Sequence, residues 1–251
     1  MIVLGFDTAT RSTSVALLLE GGEILRARDD PGPNEHPGHA TRLLAMAGEL
    51  LAEAGTGWLG VERVAVGLGP GTFTGLRVGV ATARGLAQSL SCELVGVSSP
   101  LALATAAADT AERETGGRVL SVIDARRGEV FVAAYGADGA EALAELVEPR
   151  ALPPGLLGGV IATAEERGLG AGAWMAVGDG AIRHRRELEA LPLSIPSDSS
   201  GLHLLDAGTI CLLGLDERPQ GGHDQLLPDY RRRPDAELAL GAAAGDGRVS
   251  P

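Results

Sequence analysis

The 251-residue chain contains no lysine, and all 21 of its positive side chains are arginine. That absence removes several chemistries at once, because a P-loop lysine, a Schiff-base lysine and pyridoxal-phosphate catalysis all need the lysine amine. Cysteine is nearly absent as well. Cys92 and Cys211 stand far apart without metal-ligand spacing, so both are expected to be reduced, mostly buried thiols suited to a reducing cytoplasm. No segment reaches ~18 uninterrupted apolar residues. No basic stretch precedes the first apolar run, Ile2-Val3-Leu4-Gly5-Phe6, so neither membrane spanning nor secretion is expected. The signatures G-x-S-x-G and H-E-x-x-H are missing and no Cys/His dyad is legible, which leaves hydrolysis without an assignable nucleophile.

The charge balance points the same way. The formal net charge is -12, which disfavours unaided binding to a polyanion, since affinity for nucleic acid rests largely on neutralising phosphates. Residues 1–100 hold 10 acidic side chains and 7 Arg (net -3), leaving 23 acidic and 14 Arg (net -9) for residues 101–251. A nucleic-acid role therefore calls for a more basic partner.

What is abundant is glycine, and its densest run is the turn Gly67-Leu68-Gly69-Pro70-Gly71, between an apolar strand (Val64 to Val66) and a helix expected over about 72–90. Backbone N–H groups at such a turn offer an anion site. Along that helix, positions 71, 75, 79, 83 and 87 read Gly, Gly, Gly, Ala, Ala, an i, i+4 row that leaves a groove for another helix. The groove faces either a partner or the protein's own sheet.

Length suits one large domain or two modest lobes. Apolar runs at 2–6, 14–19 and 23–28 predict a strand meander, and Asp29 to Asn34 a loop. Leu43, Leu44, Ala47, Leu50, Leu51 and Ala54 recur at helical spacing until Gly55. Strands at 63–68 and 93–97 complete an α/β unit of 1–100. After a helix over about 101–113, Val119 to Asp124, the polar turn Arg126-Arg127-Gly128 and Glu129 to Ala133 repeat the opening scheme, with Asp124 in the place of Asp7. This weak duplication predicts a second, less regular lobe over 101–235, broken by Pro153-Pro154-Gly155, Pro192, Pro196 and Pro219, and a flexible tail over 236–251.

Candidate sites are few. Asp7 with Thr8, Thr10 and Ser12 could hold hydrated magnesium and a phosphate, or form a polar hairpin turn whose hydroxyls bond their own backbone. With Gly69 and Gly71, and with Gly178, Asp179 and Gly180 of a second strand-to-helix turn, these are the nucleotide-binding candidates, against plain turn roles for all. His36 and His39 have chelating spacing but no third ligand. Arg183, Arg185 and Arg186, and Arg231 to Arg233, could touch phosphate or form ion-paired surface.

Six segments, FDTATRSTSVALL (6–18), GLGPGTFTGLRVGVATARGLA (67–87), GVSSPLALA (96–104), DARRGEVFVAAY (124–135), VGDGA (177–181) and LPDYRR (227–232), together resemble the TsaB (YeaZ) family. The resemblance implies an α/β fold of two duplicated lobes of the actin, sugar-kinase and heat-shock ATPase type. It implies a non-catalytic subunit supporting a TsaD-type transferase in forming N6-threonylcarbamoyladenosine at tRNA position 37, beside a TsaE-type ATPase, with tRNA met only through the complex. A homodimer is an alternative pairing. No cofactor is expected to bind tightly, and ATP or ADP with magnesium is left for a partner interface.

Ala9 stands where an active ATPase of this fold usually has Gly, and Asp124-Ala125-Arg126-Arg127 lacks the second loop's glycines. His36 and His39 do not match the transferase's metal-binding histidine pair. The chain departs from the family in its arginine-only basic set and its tail beyond 235. By resemblance the partner face comprises Leu43, Ala47, Leu50 and Leu51 beside Gly71, Gly75, Gly79, Ala83 and Ala87. Two other readings stay open: a self-sufficient phosphotransferase or ATPase built on Asp7 and Gly178-Asp179-Gly180, and a metalloprotease requiring His36 and His39.

Overall fold

The computed structural model describes residues 1–32, 34–136, 143–169, 173–219 and 222–231. The expected tail over 236–251 lies outside them. Among the described residues the elements run β1 (Val3–Asp7), β2 (Thr13–Leu18), β3 (Ile24–Asp29), α1 (His39–Glu53), β4 (Arg63–Gly67), α2 (Phe73–Leu90), β5 (Glu93–Val97) and α3 (Ser99–Thr115). The second series is β6 (Arg118–Arg126), β7 (Glu129–Gly136), β8 (Ala144–Leu152), α4 (Leu157–Ala164), β9 (Trp174–Val177), α5 (Asp179–Arg183), α6 (Arg185–Leu188), β10 (Leu193–Ser194) and α7 (Ala207–Asp216).

Two five-stranded sheets carry the same plan. The first is ordered β3-β2-β1-β4-β5, and the second, β8-β7-β6-β9-β10, repeats it strand for strand. In each, the hairpin strands are antiparallel and the central strand pairs parallel with the strand that follows a helix. The duplicated α/β architecture implied by the resemblance is thus present.

In the first sheet, strand alternation divides the core. Leu4, Phe6, Val15, Leu17, Val64 and Val66 meet α1 and α2 on one face. Val3, Ala16, Leu18, Ala65 and Val95 meet Ala207, Ile210 and Cys211 of α7 on the other. With both faces covered, the strands read as continuous apolar runs rather than alternating ones.

The lobes exchange helices. α3 leaves the first sheet and packs Leu103, Ala104, Ala107 and Ala111 against Val119, Ile123, Met175 and Val177 of the second. α7, from the second series, covers the first sheet. Arg63, buried in β4, fastens this exchange by donating to the Gly214 and Leu215 carbonyls at the end of α7, at 2.5 and 2.9 Å, while its Nη2 pairs with Glu93 at 2.6 Å.

Local starts follow local chemistry. α3 begins earlier than the expected 101 because the Ser98 side chain caps the Leu101 N–H and Pro100 sits in the first turn, where no N–H is missed. β8 had no counterpart among the sequence expectations. It is an edge strand containing Pro149, a residue that argues against a central strand but not against an edge.

Candidate functional site

Asp7 ends β1 and is 1% exposed. Its Oδ2 accepts the Ser99 hydroxyl at 2.5 Å and its Oδ1 accepts the Ala9 N–H at 2.7 Å. Ser99 Oγ in turn accepts from the Gly69 N–H at 3.1 Å. Burial pushes the Asp7 carboxyl above the usual carboxylate range, opposed by the Ser99 and Ala9 hydrogen bonds and by Arg28. A Cβ on Gly67 would lie 1.9 Å from Oδ2, so the carboxyl is wedged against backbone. Magnesium demands octahedral space and keeps several waters, and this sealed carboxyl does not fit it.

The glycine row is explained from inside the chain. A Cβ at Gly71 would strike the Ala9 carbonyl at 2.3 Å, one at Gly75 the Thr8 carbonyl at 2.0 Å, and one at Gly79 Thr8 Oγ1 at 2.3 Å. Thr8 Oγ1 donates to the Gly75 carbonyl and the Thr72 N–H to the Ala9 carbonyl. Ala83 and Ala87 are fully buried in the first core, with Leu43, Ala47, Leu50 and Leu51. Of the two readings left open for the row, the structure shows the second: the β1–β2 loop and the first sheet lie against it, with Gly71 half-buried at its start and the other eight residues buried. The sequence pattern reported a close approach correctly without saying which backbone approached. The outward faces of α1 and α2 carry Leu44, Ala45 and Glu49, and Arg77, Ala81, Gly85 and Gln88.

In the second lobe, Gly178 adopts φ 115°, and a Cβ there would lie 2.1 Å from the Val122 carbonyl. Gly180 abuts β6 at 2.9 Å in the same way. Asp179 Oδ1 accepts the Asp124 N–H at 2.9 Å, and burial raises the Asp179 carboxyl. The Gly178 N–H approaches His203 Nδ1 at 3.1 Å while Nε2 lies 3.1 Å from the Pro196 carbonyl, a pair satisfied by the Nε2–H tautomer.

Asp124, 7% exposed, accepts the Arg126 N–H through Oδ1 at 2.9 Å, and its Oδ2 lies 3.3 Å from one terminal nitrogen each of Arg126 and Arg183. The hairpin beyond it is unusual. Arg126, Arg127 and Gly128 have φ of 64°, 53° and 78°, and the register shifts between Asp124 and Arg126. Left-handed backbone at a non-glycine residue costs roughly 1–2 kcal/mol.

Thr10, Arg11, Ser12, Arg28 and Asp30 of the first lobe and Asp179, His203, Leu204 and Leu205 of the second line a cleft of about 260 Å³. Of the eight nucleotide-binding candidates, Thr10 and Asp179 reach it. Asp7, Thr8, Gly69, Gly71, Gly178 and Gly180 do not line it; the first four serve the sealed turn and the last two the packing of α5 on β6. Arg28 spans the lobes, binding Asp30 through Nε at 2.8 Å and the Leu205 carbonyl at 2.7 Å.

The histidine pair separates. His39 is buried with Nδ1 2.8 Å from Thr13 Oγ1, and burial lowers its pKa, opposed by Asp29, while His36 is exposed. Arg185 pairs with Asp198 and Arg231 with Asp229 and Glu148, so both are ion-paired surface; Arg232 and Arg233 lie outside the described residues.

Sequence reasoning missed the strap formed by residues 226–231. Leu226 enters the first core, the Asp229 N–H donates to the Leu68 carbonyl at 2.8 Å, and Tyr230 meets Phe73 with ring centroids 5.2 Å apart. Arg77 stacks 3.8 Å over Phe73 and donates to the Tyr230 hydroxyl at 3.2 Å. The Phe73/Arg77 spacing at i, i+4 was the available signal.

With this geometry in place, comparisons with known proteins are specific. A family model described as TsaD, tRNA N6-adenosine threonylcarbamoyltransferase, matches residues 35–151. The Escherichia coli tRNA threonylcarbamoyladenosine biosynthesis protein TsaB is 40% identical over 139 residues, 55% of this chain and 56% of that protein. The chain thus spans about half the length of the curated TsaB relatives it matches. An uncharacterized Mycobacterium tuberculosis protein is 31% identical over 235 residues, 94% of this chain and 93% of that one. A solved Pseudomonas aeruginosa structure, described as an uncharacterized protein with similarity to peptidase YeaZ, superposes with a TM-score of 0.72 at 30% identity, covering 92% of this chain and 99% of that one. Since the last two likenesses run nearly end to end and the TsaB matches carry the name, the chain belongs to the TsaB/YeaZ family.

Proposed function

We propose that this chain is the non-catalytic subunit of a tRNA-modifying complex, supporting a TsaD-type transferase that forms N6-threonylcarbamoyladenosine at tRNA position 37. The observation that carries this reading beside the family is Asp7. The carboxyl that an ATPase of this fold would turn toward a metal is here sealed by Ser99 and Gly67. Nucleotide and magnesium belong, on this reading, to the partner side of an interface, and a TsaE-type ATPase joins the assembled pair. The complex works in the cytoplasm, and no helix among the described residues is long and apolar enough to cross a membrane.

The partner face moves outward from the buried row to the solvent side of α1 and α2, where Leu44 is 47% exposed and a Cβ at Gly85 would meet nothing within 4 Å. Small exposed residues there let another helix pair approach closely. The same face suits a second copy when the transferase is absent. With a net charge of -12, the chain meets tRNA only through a more basic partner.

Reconstitution tests the reading. The chain is mixed with the TsaD-type and TsaE-type proteins of its own source, unmodified tRNA and threonylcarbamoyl adenylate, and modified nucleoside is followed by mass spectrometry. Modification should require this chain and fall at least tenfold with Leu44→Asp or Gly85→Arg, while each variant still unfolds in one cooperative transition and Gly85→Arg melts no lower than the parent. Full modification without the chain, or ATP turnover by the chain alone that is lost with Asp7→Ala, would overturn it.

A further inference from the structure

We infer that Arg126 and Arg183, drawn together by Asp124, form a phosphate-binding fork at the second-lobe lip of the interlobe cleft. Three observations carry this inference, and none depends on the role proposed for the complex. First, one buried carboxylate oxygen holds both guanidinium groups. Each has a terminal nitrogen 3.3 Å from Asp124 Oδ2, so these two nitrogens are at most twice that distance apart. An oxyanion can bridge such a pair with hydrogen bonds of ordinary length. Second, Asp124 occupies one nitrogen of each group, and a guanidinium carries five N–H donors, so most of the donors remain outside that contact. The Asp124 side chain is 6% exposed, against 40% for Arg126 and 54% for Arg183, so the anchor is buried and the arms open to solvent. Third, Arg126 sits at φ 64° on the bulge between Asp124 and the hairpin, where glycine or asparagine would rest more easily. The backbone does not select arginine there, whereas the convergence of side chains does.

The surrounding charges set the ligand class. Arg127 follows on the hairpin, Glu129 lies opposite Arg126 in register, and Asp179 is joined to this loop through the Asp124 N–H. Asp179 turns its Oδ1 to the Asp124 N–H, so at the convergence point it is the guanidinium N–H groups of Arg126 and Arg183 beyond Asp124 Oδ2 that face solvent, and N–H donors take an anion. Planar forked donors favour phosphate over a spherical halide. Asp179 also lines the cleft, which places the fork beside that opening. The ligand chemistry is a phosphate group, free or within an RNA backbone.

The test follows the arginine Nε–Hε resonances of the purified full chain. Inorganic phosphate is titrated against chloride at matched ionic strength. The Arg126 and Arg183 signals should move saturably with phosphate and stay still with chloride. Arg183→Gln and Arg126→Gly should each weaken this binding at least tenfold. Arg126→Gly removes the guanidinium while relieving the positive φ, so its melting temperature should equal or exceed the parent's, separating lost binding from lost fold. A second arm adds a short single-stranded oligoribonucleotide: displacement of phosphate identifies a backbone phosphodiester as a ligand, and absence of displacement leaves free phosphate. Equal shifts with chloride, or parental phosphate binding in both variants, would overturn the fork.

Discussion

Ser99 closes over Asp7, donating its hydroxyl to Oδ2 at 2.5 Å while accepting the Gly69 N–H at 3.1 Å. One side chain at the start of α3 therefore satisfies both the first-strand carboxyl and the glycine turn. Removing it as Ser99→Ala leaves a buried carboxyl short of a donor and a buried N–H without an acceptor. The expected loss is about 2–3 kcal/mol in chemical denaturation.

The same carboxyl fixes the sign of a pH dependence. Burial raises the Asp7 pKa in the folded chain above its ordinary value of 3.8. Between the unfolded and folded values the folded state binds more protons, so this group's stabilisation is fully present below 3.8 and is lost as pH rises through the folded pKa. Asp7→Asn removes that dependence. The difference in stability, variant minus parent, should rise with pH across this window in matched denaturant titrations, and a flat difference would contradict a raised pKa.

Two glycines of α2 should respond in opposite directions. Gly75→Ala drives a Cβ to within 2.0 Å of the Thr8 carbonyl, a backbone atom that cannot swing away. Overpacking of this kind costs on the order of 1–3 kcal/mol. Gly85→Ala meets nothing within 4 Å and should stabilise the helix by about 0.5–1 kcal/mol. Denaturation midpoints of the two variants check the pair.

Arg63 satisfies the final carbonyls of α7 from β4 of the sheet that α7 covers, at 7% exposure. Arg63→Met keeps the stem's volume and deletes every donor. The expected destabilisation is about 2–3 kcal/mol, and hydrogen exchange should rise first in α7.

The strap offers a measurable coupling. A double-mutant cycle on Arg77→Ala and Tyr230→Ala should yield an interaction energy of about 0.5–1.5 kcal/mol, the net range for a side-chain hydrogen bond, here from Arg77 Nε to the Tyr230 hydroxyl. Zero coupling would mean that Tyr230 packs on Phe73 without engaging Arg77.

Much of this molecule was legible in the chain. The β1–β2–β3 meander, the glycine turn, α2 and the repeated strand–Asp–turn–strand scheme follow from apolar runs, glycine and proline, which act within a few residues of where they occur. The pairing of Asp124 with Arg126 lies within that reach, two residues apart. Sequence also showed that one row of α2 meets something at close range, because only a close approach explains Gly71, Gly75 and Gly79 in one line.

Tertiary structure decided what stands opposite. The row could face a partner or the sheet, since periodicity marks a face as buried without naming its neighbour, and the Thr8 and Ala9 carbonyls fill it. Asp7 could hold a metal or close a turn, and Ser99, supplied by the far end of the first lobe, closes it. Arg183 in its sequence neighbourhood reads with Arg185 and Arg186, yet it turns to Asp124 while Arg185 turns to Asp198. Strand alternation and turn chemistry are short-range forces, so the chain displays them. The identity of a contact across the fold depends on how two sheets exchange α3 and α7, and that is set only when the whole chain closes on its core.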